Sequence, residues 1–484
     1  MGSLVSCVGN LSPLVVDLDG TLTRTDTLVE SIVQAVKRNP WDILRLLLWL
    51  RKGRSVLKAR LASCAGFAAE SLPYQEALCN YLCIERAKGR RIILATAANQ
   101  HIAESIAAHL GLFDEVVASD ETRNLKGTVK LEAIRACAGN RFVYAGDSAA
   151  DLPIWRAAES AVLVGTSSRV TKAVRRHTPV EREFPQARAG FGVWLRELRV
   201  HQWLKNLLIF VPLFTTFAFT DAKTFLMASL AFLSLSLTAS ATYVLNDLWD
   251  LDSDRCHPHK RNRPLASAQI PIIAGVGVSA ALVIVALMLA STLSTDFLHL
   301  LMLYMALASL YSLVLKRYVL LDVLMLAVLY TLRIVAGSAA VGVTTSIWLL
   351  AFSVFLFFSL ALVKRCTELV SLDRAGLDMT HGRNYQVGDL AVLWPMSVGA
   401  GLCAVVVFTL FISAVETETR YATPQLLWLV AIGLIYWLGR IWIMTIRGEM
   451  HDDPVVYAVK DFGSRMTVVA MVTTTLVAYL IRLR

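Results

Sequence analysis

Leu14-Val15-Val16-Asp17-Leu18-Asp19-Gly20-Thr21 decides how the N-terminal part of the chain is read. The apolar run predicts a strand, and it delivers two aspartates, spaced by two, at its C-terminal edge, where open α/β sheets place their sites. Such a pair suits phosphoryl transfer: one carboxylate attacks phosphorus while the next protonates the leaving oxygen and then activates water. Working outward, similar short runs at Arg91 to Thr96 and Phe142 to Ala145 alternate with helical stretches. That alternation predicts a parallel α/β sheet. An anionic nucleophile meeting an anionic ester needs cations, and later parts of the chain supply them. Thr96 ends its strand and can hydrogen-bond a phosphate. Lys126 in Asn-Leu-Lys-Gly can offset its charge, and Asp147 and Asp151 in Gly-Asp-Ser-Ala-Ala-Asp can hold Mg²⁺.

These four motifs, in order over roughly residues 11 to 175, resemble the haloacid dehalogenase (HAD) superfamily. The resemblance implies a Rossmann-like domain over 1–175 with a helical cap at about 22–90. It implies Asp17 as nucleophile, Asp19 as acid/base, Thr96 and Lys126 as phosphate contacts, and Mg²⁺ at Asp17, Asp19, Asp147 and Asp151. A second aspartate at Asp19 is similar to the phosphatase branch. Within the cap, Trp41 to Trp49 is apolar and precedes Arg51, Lys52 and Arg54, so a helix resting on the membrane and ordinary cap packing are both open.

The whole chain has 484 residues, 56% of them hydrophobic and 17% charged, with a net charge of +10. That composition excludes disorder and small disulfide scaffolds and requires membrane-spanning stretches. Its 8 cysteines are scattered without CxxC spacing, so neither a zinc site nor a disulfide framework is expected. Residues 176–200, rich in Arg and Glu and containing Pro179 and Pro185, read as a linker. Long apolar runs then begin near Asn206, Phe225, Ile270, Phe297, Asp322, Ser346, Leu390, Leu426 and Met466. They predict an all-α polytopic membrane bundle over 201–484 with about nine spans, the first being short. Basic connections alternate with poorly charged ones. By the positive-inside rule the protein is then a multi-pass protein of the cell (inner) membrane, with the N-terminal domain cytoplasmic and the C-terminus outside. Arg482 and Arg484 run against that last point.

The second span ends in Asn246-Asp247-Leu248-Trp249-Asp250-Leu251-Asp252-Ser253-Asp254-Arg255. On one helix Asp247, Asp250 and Asp254 share a face at the cytoplasmic end, while Asp252 points elsewhere. Carboxylates clustered at a bilayer boundary call for a divalent cation, and Mg²⁺ bridging a diphosphate is the economical explanation. This run, followed by His259-Lys260-Arg261-Asn262-Arg263-Pro264, resembles the UbiA superfamily of intramembrane transferases. The usual second motif, Asp-x-x-x-Asp, is replaced here by Lys364-Arg365-Cys366-Thr367-Glu368. Gln202-Trp203-Leu204-Lys205-Asn206, Tyr311-Ser312 with Lys316, and Leu332-Arg333 with Gly337 are similar to the polyprenyl-phosphate (decaprenyl-phosphate) phosphoribosyltransferase branch. That likeness implies phosphoribosyl diphosphate as donor and polyprenyl phosphate as acceptor, with Lys205, Asn246, Lys260, Arg263, Lys316, Arg333, Lys364, Arg365 and Glu368 contacting donor or lipid phosphate. Arg333 lies about 16 Å beyond Asp322 along its helix, a costly depth for an unpaired cation. His451-Asp452-Asp453-Pro454 falls in the last cytoplasmic loop and either closes over the donor or is solvated.

The expectation is a bifunctional enzyme: Mg²⁺-dependent phosphoribosyl transfer to polyprenyl phosphate, followed by removal of the 5-phosphate in the HAD domain. A prenyltransferase using prenyl diphosphate and a small acceptor is the alternative. An ion pump is disfavoured, because the nucleophile motif is Asp-Leu-Asp-Gly-Thr and the cap is small. Expected partners are the lipid bilayer, polyprenyl phosphate and phosphoribosyl diphosphate or another diphosphate donor; a homo-oligomer is left open, and no nucleic acid is expected.

Overall fold

The structure is a computed structural model that describes residues 11–39, 41–42, 45–46, 48, 60–61, 68–120, 123, 125–186, 189–376, 378, 383–450 and 453–481. Two compact units divide it. One is the chain up to Leu198 together with Asp247–Val278; the other is Arg199–Asn246 with Ser279–Arg484.

In the first unit, strands β1 (Leu14–Val16), β2 (Ile92–Asn99), β3 (Glu115–Ser119), β4 (Val143–Gly146), β5 (Ser160–Val164) and β6 (Val180–Phe184) form one sheet in the order β3-β2-β1-β4-β5-β6. Every neighbouring pair is parallel. The strand order reverses between β1 and β4, which opens a crevice beyond their C-terminal ends. Helices α1 (Thr27–Arg38), α2 (Glu76–Ala87), α3 (Gln100–Leu110), α4 (Thr128–Ala138), α5 (Leu152–Ala157) and α6 (Ser168–Arg175) accompany the strands. Successive strand residues point to opposite faces, so Val16 and Leu94 pack with Leu78, Leu82 and Ile106, while Val15 and Ile93 pack with Ile134 and Trp155. Each such fully buried side chain contributes about 1.5–3 kcal/mol.

Two expected boundaries shift. Residues 176–200 are not a plain linker, because Val180–Phe184 is the sixth strand and Phe191–Glu197 is helical. The expected cap at 22–90 is also too long, since α2 belongs to the layer packed on the sheet through Leu78 and Leu82. Trp41 and Leu48 are exposed. Trp49, Arg51, Lys52 and Arg54 lie outside the described residues.

In the second unit the segment Val200–Phe210 is a 3₁₀ helix followed by the short helix Val211–Thr215. Among the described residues, 8 helices of the chain are long and apolar enough to cross a membrane: Ala222–Trp249, Ile272–Leu293, Thr295–Leu313, Leu321–Val341, Ile347–Arg374, Val387–Ile412, Pro424–Ile446 and Phe462–Leu480. The chain is an integral membrane protein. The run near Asn206, expected to be the short first one, yields no such helix among the described residues, so the 8 helices agree with the expected count of about nine. Arg482 and Arg484 lie outside the described residues. Gly337 lets two segments meet: a Cβ there would lie 2.2 Å from the Ile209 carbonyl oxygen.

Candidate active sites

The first site lies where β1 and β4 end side by side. Asp17 follows β1, with its N–H donating to Ala145 O at 3.0 Å, and Asp147 follows β4. Gly20, at φ +76°, turns the chain between them, and a Cβ there would sit 2.5 Å from Asp147 Oδ2. Gly146 is equally confined, because a Cβ would lie 2.9 Å from Asp151 Oδ2. Carboxylate oxygens of Asp17, Asp147 and Asp151 lie within 4.8 Å of one another, the one such group of three among the described residues. Burial, then the neighbouring Asp151 and Asp17, push the Asp147 carboxyl up to about 7. Burial and Asp17 also raise Asp151. Three hard oxygen donors that repel one another fit a divalent cation.

Lys130, from the first turn of α4, places Nζ 2.8 Å from Asp17 Oδ1 and donates to the Tyr144 hydroxyl at 2.8 Å. Tyr144 in turn donates to Asp151 Oδ1 at 3.0 Å. Lys126 lines the same cavity and is exposed. Sequence reading selected Lys126 and missed Lys130 and Tyr144; the available signal was a second lysine one helical turn on, at i+4. Asp19 stands apart from the three-carboxylate group. Its Oδ1 accepts from the Thr27 N–H at 2.8 Å, and burial together with Asp26 pushes its carboxyl up to about 7. Thr96 is fully buried with its hydroxyl oxygen accepting from Ala98 N–H at 3.0 Å, and its neighbours Ala97, Ala98 and Asn99 line the cavity in its place. The cavity measures about 600 Å³.

The expected aspartate run is also in the first unit from Asp247 onward. The membrane helix ends at Trp249 and a second helix starts at Leu251, so Asp250 caps a break and the single-helix i, i+3, i+7 face does not form. Arg263 nevertheless gathers two of the three, with NH1 3.0 Å from Asp247 Oδ1 and 2.5 Å from Asp254 Oδ2. Burial raises the Asp254 carboxyl against the pull of Arg263. Arg263 thus neutralises two converging carboxylates. Lys260 is exposed on the following turn.

In the second unit, Lys205 and Lys364 share one acceptor, Asp453 Oδ2, at 2.8 and 3.1 Å. Burial would raise the Asp453 carboxyl, but Lys364 and Lys205 hold it far below the usual carboxylate range. Arg333 is buried and donates to Asn206 Oδ1 at 3.0 Å, Leu329 O at 2.6 Å and the Tyr304 hydroxyl at 2.8 Å. Its guanidinium carbon lies 5.0 Å from the ring centres of both Tyr304 and Tyr330. These partners are all neutral. Arg365 is 1% exposed and paired with Asp322 at 2.6 Å, while Glu368 pairs with Arg365 and Arg383, so both belong to one ion network. Asn246 donates to Ser312 Oγ at 2.7 Å, and Lys316 lies in the turn Leu315–Arg317. His451 and Asp452 lie outside the described residues.

The chain thus combines a parallel α/β sheet carrying a three-carboxylate cavity with a set of long apolar helices. Residues 207–464 match the UbiA prenyltransferase family, and residues 14–156 match haloacid dehalogenase-like hydrolase. The chain belongs to the UbiA prenyltransferase family and carries a HAD domain. It is 40% identical over 465 residues to the uncharacterized protein y4nM of Sinorhizobium fredii, covering 94% of this chain and 89% of that one. It is 33% identical to nodulation protein NoeC of Azorhizobium caulinodans over 59% of this chain and 92% of the relative. A decaprenyl-phosphate phosphoribosyltransferase of Mycolicibacterium smegmatis is 28% identical over 43% of this chain and 66% of its own length. A solved UbiA homolog from Archaeoglobus fulgidus bound to GPP and Mg²⁺ aligns at 16% identity with a TM-score of 0.46, over 60% of this chain and 100% of that one.

Proposed function

We propose that the membrane unit transfers 5-phosphoribosyl from phosphoribosyl diphosphate to polyprenyl phosphate, and that the HAD domain removes the 5-phosphate from the lipid-linked product. The observation that carries this reading is the excess of cations in the second unit. Among the described residues Lys205 and Lys364 share one carboxylate oxygen of Asp453, and the hydrogen-bond partners of the buried Arg333 are all neutral. A buried guanidinium without a carboxylate is costly, an anion would lower that cost, and its planar donors suit a phosphate. The likeness to a decaprenyl-phosphate phosphoribosyltransferase supports the same class of substrate.

Mg²⁺ fits both sites. Asp17, Asp147 and Asp151 would hold one ion, and Asp247 with Asp254 another in exchange for Arg263; the ions would screen charge on the transferring phosphate and on the leaving diphosphate. In the HAD domain, Asp17 attacks phosphorus while Asp19, kept protonated by its raised affinity for the proton, delivers it to the leaving ribose oxygen. Lys130 fixes Asp17 and offsets its charge, and Tyr144, whose hydroxyl burial keeps neutral, orients Asp151 by donating to it. We place the HAD domain and the basic loops on the cytoplasmic side by loop charge.

Incubating the purified protein with phosphoribosyl diphosphate and polyprenyl phosphate, and reading products by mass spectrometry, tests the proposal. Wild type should yield lipid-linked ribose, and Asp17→Asn should accumulate its 5-phosphate. If the variant accumulates none, the coupling of the two activities is wrong. The family description favours a second reading, transfer of prenyl from prenyl diphosphate to a small acceptor; consumption of that donor instead would support it.

A further inference from the structure

The phosphatase cavity is not walled by the HAD domain alone. Its floor carries Asp17, Lys130 and Asp147, but its wall is apolar, with Leu28, Ile32 and Ile102 joined by Ile273. Ile273 is the second residue of Ile272–Leu293, a helix long and apolar enough to cross a membrane. It is 66% exposed, which puts it at the rim of the cavity.

A charged seam holds this segment in place. Helix α1 lines the cavity through Thr27, Leu28 and Ile32, and it also carries Glu30, Gln34 and Lys37 at helical spacing. Glu30 accepts from both terminal nitrogens of Arg255, at 2.6 and 3.2 Å, with the two side chains 3% and 6% exposed. Arg255 Nε also donates to Ala266 O at 3.1 Å, which ties in the turn after Arg263. Asp252, the aspartate of the run that stands apart from Asp247 and Asp254, accepts from Lys37 at 2.8 Å and Gln34 at 3.1 Å. A buried bidentate pair fixes orientation as well as proximity, because its fork geometry admits one arrangement.

We propose that Asp247–Val278 is a working part of the phosphatase, and that Ile273 sets its preference for a phosphomonoester carried on an apolar group. Lys126 and Lys130 beside the carboxylates, below an apolar rim, match a substrate with phosphate at one end and hydrocarbon at the other. The inference rests on the phosphatase reading above and extends it to what selects the substrate.

The test compares hydrolysis of octyl phosphate and methyl phosphate by the full-length protein in detergent with Mg²⁺. Wild type should favour octyl phosphate in kcat/KM by about tenfold, the range a few buried methylenes supply. Ile273→Asp should cut that ratio at least about fivefold, mainly through KM, whereas Ile273→Leu should keep it. Asp252→Lys should lower the ratio by opening the seam, and adding Lys37→Asp should restore it. A wild-type enzyme without preference, or a ratio in Ile273→Asp within about twofold of wild type, overturns the inference while Asp17-dependent hydrolysis leaves the phosphatase reading standing. Hydrolysis that is absent, or that survives in Asp17→Asn, overturns both.

Discussion

Lys130 Nζ stands 2.8 Å from Asp17 Oδ1, so the charge of Asp17 is met by the lysine one turn beyond the one in the motif. Both side chains are largely buried, at 5% and 14% exposure, and removing one partner leaves an uncompensated charge beside Asp147 and Asp151. Lys130→Met should therefore lower phosphatase kcat by about 10²–10³. Lys126→Met should cost less and act more on KM. Steady-state kinetics on a soluble phosphomonoester separates the two.

Divalent cation and pH should act on the same carboxyls. Asp19 and Asp147 bind protons up to about pH 7 in the folded unit, whereas the unfolded chain releases them near about pH 4. The folded state then binds more protons across that window, so without Mg²⁺ its stability falls as pH rises from about 4 through about 7. Mg²⁺ should raise the melting temperature more at pH 8 than at pH 5, and Asp147→Asn should flatten that difference. Scanning calorimetry at the two pH values reads both effects.

Asp453 gives the opposite slope. Its carboxyl is held low by Lys364 and Lys205 against the effect of burial, so its contribution is present above about pH 4 and is lost as pH falls below it. Asp453→Asn leaves two lysines facing each other and should cost about 3 kcal/mol at neutral pH. Thermal unfolding in detergent should show a clear drop for the variant at pH 7 and a smaller one under acid conditions.

Gly337→Ala should uncouple Arg333 from its setting. The added methyl meets the Ile209 backbone at 2.2 Å, three residues from Asn206, which accepts from Arg333. Transfer activity should fall by more than about tenfold, a loss typical of a misplaced binding group. Gly439→Ala, with nothing within 4 Å of its Cβ, should leave activity and melting near wild type.

The strand-borne aspartates were legible because a short buried run followed by Asp-x-Asp constrains both fold and chemistry. The carboxylates at Asp147 and Asp151 were legible for the same reason. Lys130 was hidden because it belongs to the helix after its motif, where a lysine reads as solvated surface. The helix break at Asp250 escaped because side-chain spacing carries no sign of a local change in backbone direction. The pairing of Arg365 with Asp322 was not legible, because the two lie 43 residues apart in the sequence. Strand β6 was missed because Glu181, Arg182 and Glu183 interrupt the apolar pattern.

That sixth strand has a practical consequence. A fragment cut near residue 175 would strip β5 of its outer neighbour and expose a row of unpaired backbone groups, a ready template for sheet-to-sheet association. It would also remove Glu181 from the buried Arg90 and Phe184 from its contact with Tyr81. Soluble material made that way should aggregate, whereas a fragment that retains Phe184 keeps the edge that nature capped with alternating charge.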